Sequence, residues 1–216
     1  MTSVLGEVLL RQAGASVILG LGGDGAAIAS AMTANQDAFR AGFALSLVSL
    51  GVYVALMGLL YRVLAPADRT IARIALVFSI IALTLQAFAA VSQLAAFGVA
   101  TSGRTVVGES QVASVVLLLL RGYGQAYSVA LVMWGWFWLL VAFLVFWSPF
   151  MRRPLSIAPA LAGLSWLLVL WPPLSAGLPV QILGGLGEVV FVLWLLIRGV
   201  NEDRWRTALQ SDAARA

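Results

Sequence analysis

Charge in this chain is confined to short bursts between long apolar runs. From Ala41 to Tyr61, Ile74 to Gly103, Gly122 to Met151 and Pro154 to Gly187 there is no Asp, Glu, Lys or Arg, and Leu, Val, Ala, Phe and Trp dominate each run. A helix rises about 1.5 Å per residue, so about 20 apolar residues cross a hydrocarbon core about 30 Å thick. Every run reaches that length. Taking Met1 to Leu10 as the remnant of a first helix, the pattern predicts a second from about Phe39 to Leu64, stopped by Pro66, and a third from Ile71 to about Val99. A fourth span covers about Gln125 to Trp147, a fifth runs from Leu155 to Trp171 before Pro172-Pro173, and the last runs from Pro179 to Ile197 and leaves at Arg198.

Three segments do not read as full spans. Met1 to Leu10 is apolar except for Glu7 and is closed by Arg11, too short to cross, and its positive charge follows the apolar part instead of preceding it as in a signal peptide. It reads as the tail of a first helix whose translation starts upstream. Gln12 to Asp37 reads as a small-residue loop; its Gly20, Gly22, Gly23 and Gly25 lack the strand before and the Lys-Ser or Lys-Thr after that a phosphate loop needs. Val112 to Leu120 is also too short to cross and predicts an interfacial or half-inserted helix, or an outward extension of the fourth span. The expected architecture is therefore an all-α polytopic transmembrane bundle of five full spans, a truncated first helix and a short interfacial helix. It forms one domain over residues 1–200, followed by a short tail over 201–216.

Composition sharpens this picture. With 62% hydrophobic residues in 216, no stretch remains for a second soluble domain. All 13 basic residues are Arg; they stand at the edges of the apolar runs and form no basic stripe, so the net charge of +4 reads as topology and not as a nucleic-acid footprint. Nine fall on one side (Arg62, Arg69, Arg73, Arg152, Arg153, Arg198, Arg204, Arg206 and Arg215) and four on the other (Arg11, Arg40, Arg104 and Arg121). That bias orients the C-terminus toward the cytoplasm of a bacterial inner membrane. Tyr61, Trp147 and Trp171 fall at span ends, as an aromatic belt requires.

The absences narrow the chemistry. Without Cys or His there is no thiolate nucleophile, imidazole base, histidine-ligated haem or ordinary zinc or copper site, and without Lys no Schiff base. No cofactor, metal ligand set or catalytic residue is assigned, and a non-enzymatic role is expected.

One ionisable residue, Glu188, lies deep in a span. A carboxylate at that depth costs several kcal/mol unless protonated, paired or wet, so it should face the bundle interior. Gln181, Gly184, Gly185 and Glu188 follow an i, i+3, i+4, i+7 stripe on which a neighbouring backbone can approach closely. The third helix offers Ser79, Gln86 and Gln93, and the second offers Gly42, Ser46, Ser49 and Tyr53. Depth counting from the arginines brings Glu188, Gln86, Ser49 and Tyr53 together as the candidate interior polar cluster. The plainer reading is that these groups only hold the bundle together, at about 0.6 kcal/mol per hydrogen bond. Trp134, Trp136, Phe137 and Trp138 could line a pocket for a flat apolar ligand, but adjacent residues on a helix point in different directions, so they read as packing against lipid. Arg121 with Tyr123 is a candidate lipid-headgroup contact, with snorkelling as the simpler account.

Several segments, in this order, resemble one family. They are Asp37-Ala-Phe-Arg-Ala-Gly-Phe43, Leu59-Leu-Tyr-Arg-Val-Leu-Ala-Pro66, Arg121-Gly-Tyr-Gly124, Leu186-Gly-Glu-Val189 and Leu193-Trp-Leu-Leu-Ile-Arg-Gly199. The chain resembles bacterial six-helix membrane proteins catalogued as domain of unknown function 4386, a resemblance that implies a complete first helix and no assigned activity. Two roles follow as expectations. The first is a non-enzymatic bundle whose partners are the lipid bilayer and either a lipid-like molecule or another membrane subunit, including a second copy. The second is a small proton-coupled transporter using Glu188.

Overall fold

The computed structural model describes residues 25–102, 108–171 and 180–213. The expected remnant of a first helix at Met1 to Leu10, the glycines from Gly20 to Gly23 and the turn at Pro172-Pro173 lie outside them. Within the described residues the regular structure is entirely helical: α1 Gly25–Ala34, α2 Gln36–Leu64, α3 Arg69–Ser102, α4 Glu109–Trp147, α5 Ile157–Leu167, α6 Val180–Arg198 and α7 Glu202–Ala213. Short 3-10 turns at Arg153–Ser156 and Leu168–Leu170 extend α5 at both ends. Among the described residues four helices are long and apolar enough to cross a membrane: α2, α3, α4 and α5 with its 3-10 ends. A fifth span is formed if 182–198 and 202–211, bent by 100° at their junction, count as one. The chain is a multi-pass membrane protein.

Of the alternatives for Val112 to Leu120, the outward extension of the fourth span is the one found, and the separate interfacial helix is corrected: the segment is the beginning of α4, which continues unbroken to Trp147, 39 residues in all. Two helical glycines, Gly122 and Gly124, cost only about 1 kcal/mol each, whereas Val112, Val116, Leu120 and Tyr123 continue one buried face across them. Packing outweighs propensity here. The loop expected over Gln12 to Asp37 is helical from Gly25 onward, because Gly25 lets α1 lie against the Ala113 carbonyl and Leu117 of α4 while Ala29 and Met32 are buried. Asn35, whose side-chain amide donates to the Ala31 carbonyl at 3.0 Å, separates α1 from α2.

The chain divides into two compact units, residues 1–54 with 83–130, and residues 55–82 with 131–216. The core of the first is Ala29, Met32, Phe39, Ala96, Phe97, Ala100, Val112, Val116 and Leu120, with the Phe39 and Phe97 rings stacked 4.1 Å apart. In the second, α4, α5 and α6 meet backbone to backbone. A Cβ on Gly163 of α5 would lie 2.8 Å from the Gly135 carbonyl oxygen of α4, and one on Gly187 of α6 would lie 2.5 Å from the Ala158 carbonyl oxygen of α5. Apolar side chains gain nothing by leaving lipid for one another, so contacts of this kind, which raise dispersion contact, are what hold membrane helices together.

The tail forms the helix α7. Gly199 at φ 62° turns the chain out of α6, a conformation that side chains rarely adopt. Asn201 N–H then donates to the Phe150 carbonyl at 3.1 Å, and Trp205 Nε1 donates to the Val63 carbonyl at 3.1 Å. The last helix is thus latched to the end of α2 and to the turn between α4 and α5.

Candidate functional site

The site begins with a glycine. A Cβ at Gly184 would stand 2.7 Å from the Trp166 indole, so only glycine leaves room for that ring to lie flat on α6. Lying there, Trp166 of α5 donates its Nε1–H to Oε1 of Glu188, one turn further along α6, at 2.8 Å. An indole N–H given to a carboxyl group inside a water-poor bundle is stronger than its counterpart in solvent. It also spares Glu188 the cost of standing alone at that depth.

A second indole completes the arrangement. Trp138 of α4 is buried, and its Nε1–H turns toward the Glu188 carboxyl without completing a hydrogen bond to any group. Its ring meets Phe191 edge-on at 5.8 Å and Phe137 at 5.0 Å, which fixes its orientation. The glycine contacts between α4 and α5 at Gly135 and Gly163 set the two tryptophan-bearing helices side by side. Glu188 itself is half-buried, and Gly185, one turn before it, opens onto free space, since a Cβ there would meet nothing within 4 Å. The result is a carboxyl group with one indole donor in place, another directed at it and open space at Gly185 on the same helix.

Indole nitrogens only donate, so an acidic proton on Glu188 finds no acceptor on either tryptophan. Among the described residues no group of three or more His, Cys, Asp or Glu is arranged to hold a metal ion. A carboxyl group met by indole N–H edges keeps further acceptor capacity, which suits a hydrogen-bond donor, a charged one most of all.

The sequence-derived candidates fall as follows. Glu188 lies in the second compact unit, whereas Ser49, Tyr53 and Gln86 lie in the first. Ser49 is buried and its hydroxyl donates to the Leu45 carbonyl at 2.8 Å; Tyr53 and Gln86 are half-buried. On the third helix's stripe Ser79 and Gln93 are buried, with the Ser79 hydroxyl given to Leu76 at 2.7 Å. Of the stripe on α6, Gly184 makes the close approach as expected, but its companion is Gly187, and Gly185 faces open space. Arg121 is exposed while Tyr123 is buried with its ring 5.8 Å from Tyr127, so the two side chains point to different faces.

The aromatic run expected to face lipid is corrected: Trp134, Phe137 and Trp138 are buried, and only Trp136 is exposed. Sequence reasoning also missed Trp166. The available signal was its place opposite a glycine pair, since an indole needs both a partner for its N–H and room for its ring.

The model of the family described as domain of unknown function (DUF4386) matches residues 2–199. No curated protein and no solved structure matches the chain.

Proposed function

The chain belongs to that family over nearly its whole length, and with this membership as premise we propose that it is a non-enzymatic protein of the bacterial inner membrane that binds a lipid-like amphiphile from within the bilayer. Its C-terminus faces the cytoplasm. The binding group is Glu188, assisted by Trp166 and Trp138. The observation that carries the reading is the surroundings of Glu188: a half-buried carboxyl with one indole N–H bound at 2.8 Å, a second indole, Trp138, directed at the same carboxyl, and open space at Gly185 one turn before it. A carboxyl group that is held by donors and still half-exposed keeps acceptor capacity for a ligand donor. The nine-to-four distribution of arginines supports the orientation.

Native mass spectrometry of the protein in detergent tests the reading, with a long-chain alkylammonium and the alcohol of the same chain length as probes. The ammonium should be retained in preference to the alcohol by the unaltered protein, and the preference should vanish in Glu188→Gln. Equal retention of the two probes would overturn the assignment.

Proton-coupled transport is the second reading, and one feature favours it: both neighbours of Glu188 are donors only, which leaves its proton free to leave with a ligand. In sealed vesicles this reading requires solute movement driven by a pH gradient and lost in Glu188→Gln. Binding without such flux selects the first.

A further inference from the structure

A different chemistry is gathered at the opposite pole of α6 from its glycines. Arg198 closes that helix, and its guanidinium carbon stands 6.0 Å from the centre of the Trp194 ring, one turn back. Arg152, from the turn between α4 and α5, stands at the same 6.0 Å from the same ring. Arg153, its neighbour, lies 5.5 Å from the centre of the Phe146 ring. All three arginines are exposed, and Trp194 is half-buried. No carboxylate pairs with Arg152, Arg153 or Arg198 among the described residues.

Three neighbouring charged groups are already engaged. Arg206 is paired with Glu202 at 2.6 Å, Arg204 reaches the Pro149 carbonyl at 3.5 Å, and Asp68 accepts the Ile71 N–H at 2.9 Å as the cap of α3. Two like charges thus stand at the same distance from one indole, and among the described residues no carboxylate offsets them.

We propose that Arg152 and Arg198, converging on Trp194, form a binding site for the phosphate of an anionic phospholipid. Three physical points support this occupant over a soluble anion. The pair sits where an apolar helix ends, at the depth of lipid headgroups, with exposed Leu196 and Ile197 beside it to meet acyl chain. Guanidinium forks match phosphate oxygens two at a time, as an ammonium does not. The indole lies where interfacial tryptophans anchor, apolar on its face and wet at its edge. This site is separate from Glu188 and stands whether or not that carboxylate binds an amphiphile.

Native mass spectrometry in detergent gives a test that does not depend on membrane orientation, with phosphatidylglycerol and phosphatidylcholine of equal chain length as probes. The unaltered protein should retain phosphatidylglycerol preferentially. Arg152→Gln/Arg198→Gln should weaken that retention by about tenfold or more, the worth of losing charged hydrogen bonds. Each single variant should fall between, and these carry the test if the double variant is poorly folded. Arg206→Gln, which removes a cation already paired, should leave retention unchanged. Equal retention of the two lipids, a preference undiminished in the double and single variants, or an equal loss in Arg206→Gln would each overturn the proposal. Displacement of phosphatidylglycerol by an equimolar amount of inorganic phosphate would overturn the lipid assignment in favour of a free anion.

Discussion

Gly185 and Gly187 stand two residues apart on α6 and meet opposite surroundings, so the same substitution at each should have opposite consequences. Alanine at Gly187 would place a Cβ 2.5 Å from the Ala158 carbonyl oxygen and 3.0 Å from both the backbone nitrogen and the Cβ of Ala162. Carbon atoms settle at about 3.5–4.0 Å, so α5 and α6 must part by roughly 1 Å. Two of the three obstructing atoms are backbone, and no side-chain rotation can move them. Overpacking of this kind costs about 1–3 kcal/mol, against a gain of at most about 1 kcal/mol from replacing a helical glycine. Gly187→Ala should therefore lose about 1–2 kcal/mol, while Gly185→Ala, with open space around its Cβ, should gain up to about 1 kcal/mol. Equilibrium unfolding of the purified protein in mixed detergent micelles measures the difference, expected at about 1–3 kcal/mol between the two variants. If Gly187→Ala proves at least as stable as Gly185→Ala, α5 and α6 do not approach each other at this point, and the geometry placing Trp166 on Glu188 fails with it.

Three further outcomes follow from the same geometry. Glu188→Gln keeps an acceptor for Trp166 and should leave stability nearly unchanged, whereas Glu188→Leu strands the indole N–H and should cost about 1 kcal/mol or more in the same unfolding assay; equal stability of the two would mean the hydrogen bond is absent in solution. Because the chain has no cysteine, single cysteines at Asp68, Gly103 and Asp212 report topology cleanly: an impermeant thiol reagent outside intact cells should modify Gly103→Cys and spare the other two, and the reverse pattern inverts the orientation. Trp205→Phe removes the hydrogen bond to Val63, and Gly199→Ala forces a side chain into a left-handed conformation at about 1–2 kcal/mol, so each should hasten tryptic cleavage after Arg204 and Arg206; unchanged cleavage would show that α7 is not held by these two features.

The spans were readable in the sequence because bilayer thickness is a hard length requirement and charge-free runs of that length have few other uses. What misled was local: Gly25, Gly122 and Gly124 look like breaks, but a helical glycine costs only about 1 kcal/mol, which packing of the flanking residues outweighs; Gly25 lies against the Ala113 backbone, whereas a Cβ on Gly122 would meet nothing within 4 Å. Periodicity placed Gly184 and Glu188 on one stripe but could not say that Gly187, and not Gly185, would be the second contact, since the two flank Gly184 on opposite sides of the helix, about 60° and 100° away, and the pattern alone does not tell toward which side α5 packs. Trp166 and Trp138 were invisible as partners for a further reason. Which indole reaches a carboxyl group is decided by the crossing of three helices at Gly135, Gly163 and Gly187, and such crossings are set by contacts between residues far apart in sequence.

A hydrophobic carbodiimide tests most directly whether Glu188 is a ligand site reached from the lipid phase. Such reagents partition into the bilayer and modify carboxyl groups there, and Glu188 is the one acidic residue within the apolar run of α6. Peptide mapping by mass spectrometry after treatment of the membrane-embedded protein should find Glu188 modified, unmodified with a water-soluble carbodiimide, and protected in a saturable way by long-chain alkylammonium but not by the matching alcohol. Failure of the hydrophobic reagent to reach Glu188, or modification that the ammonium does not slow, would show that the carboxyl group is sealed structural glue between α5 and α6 and contradict the binding site.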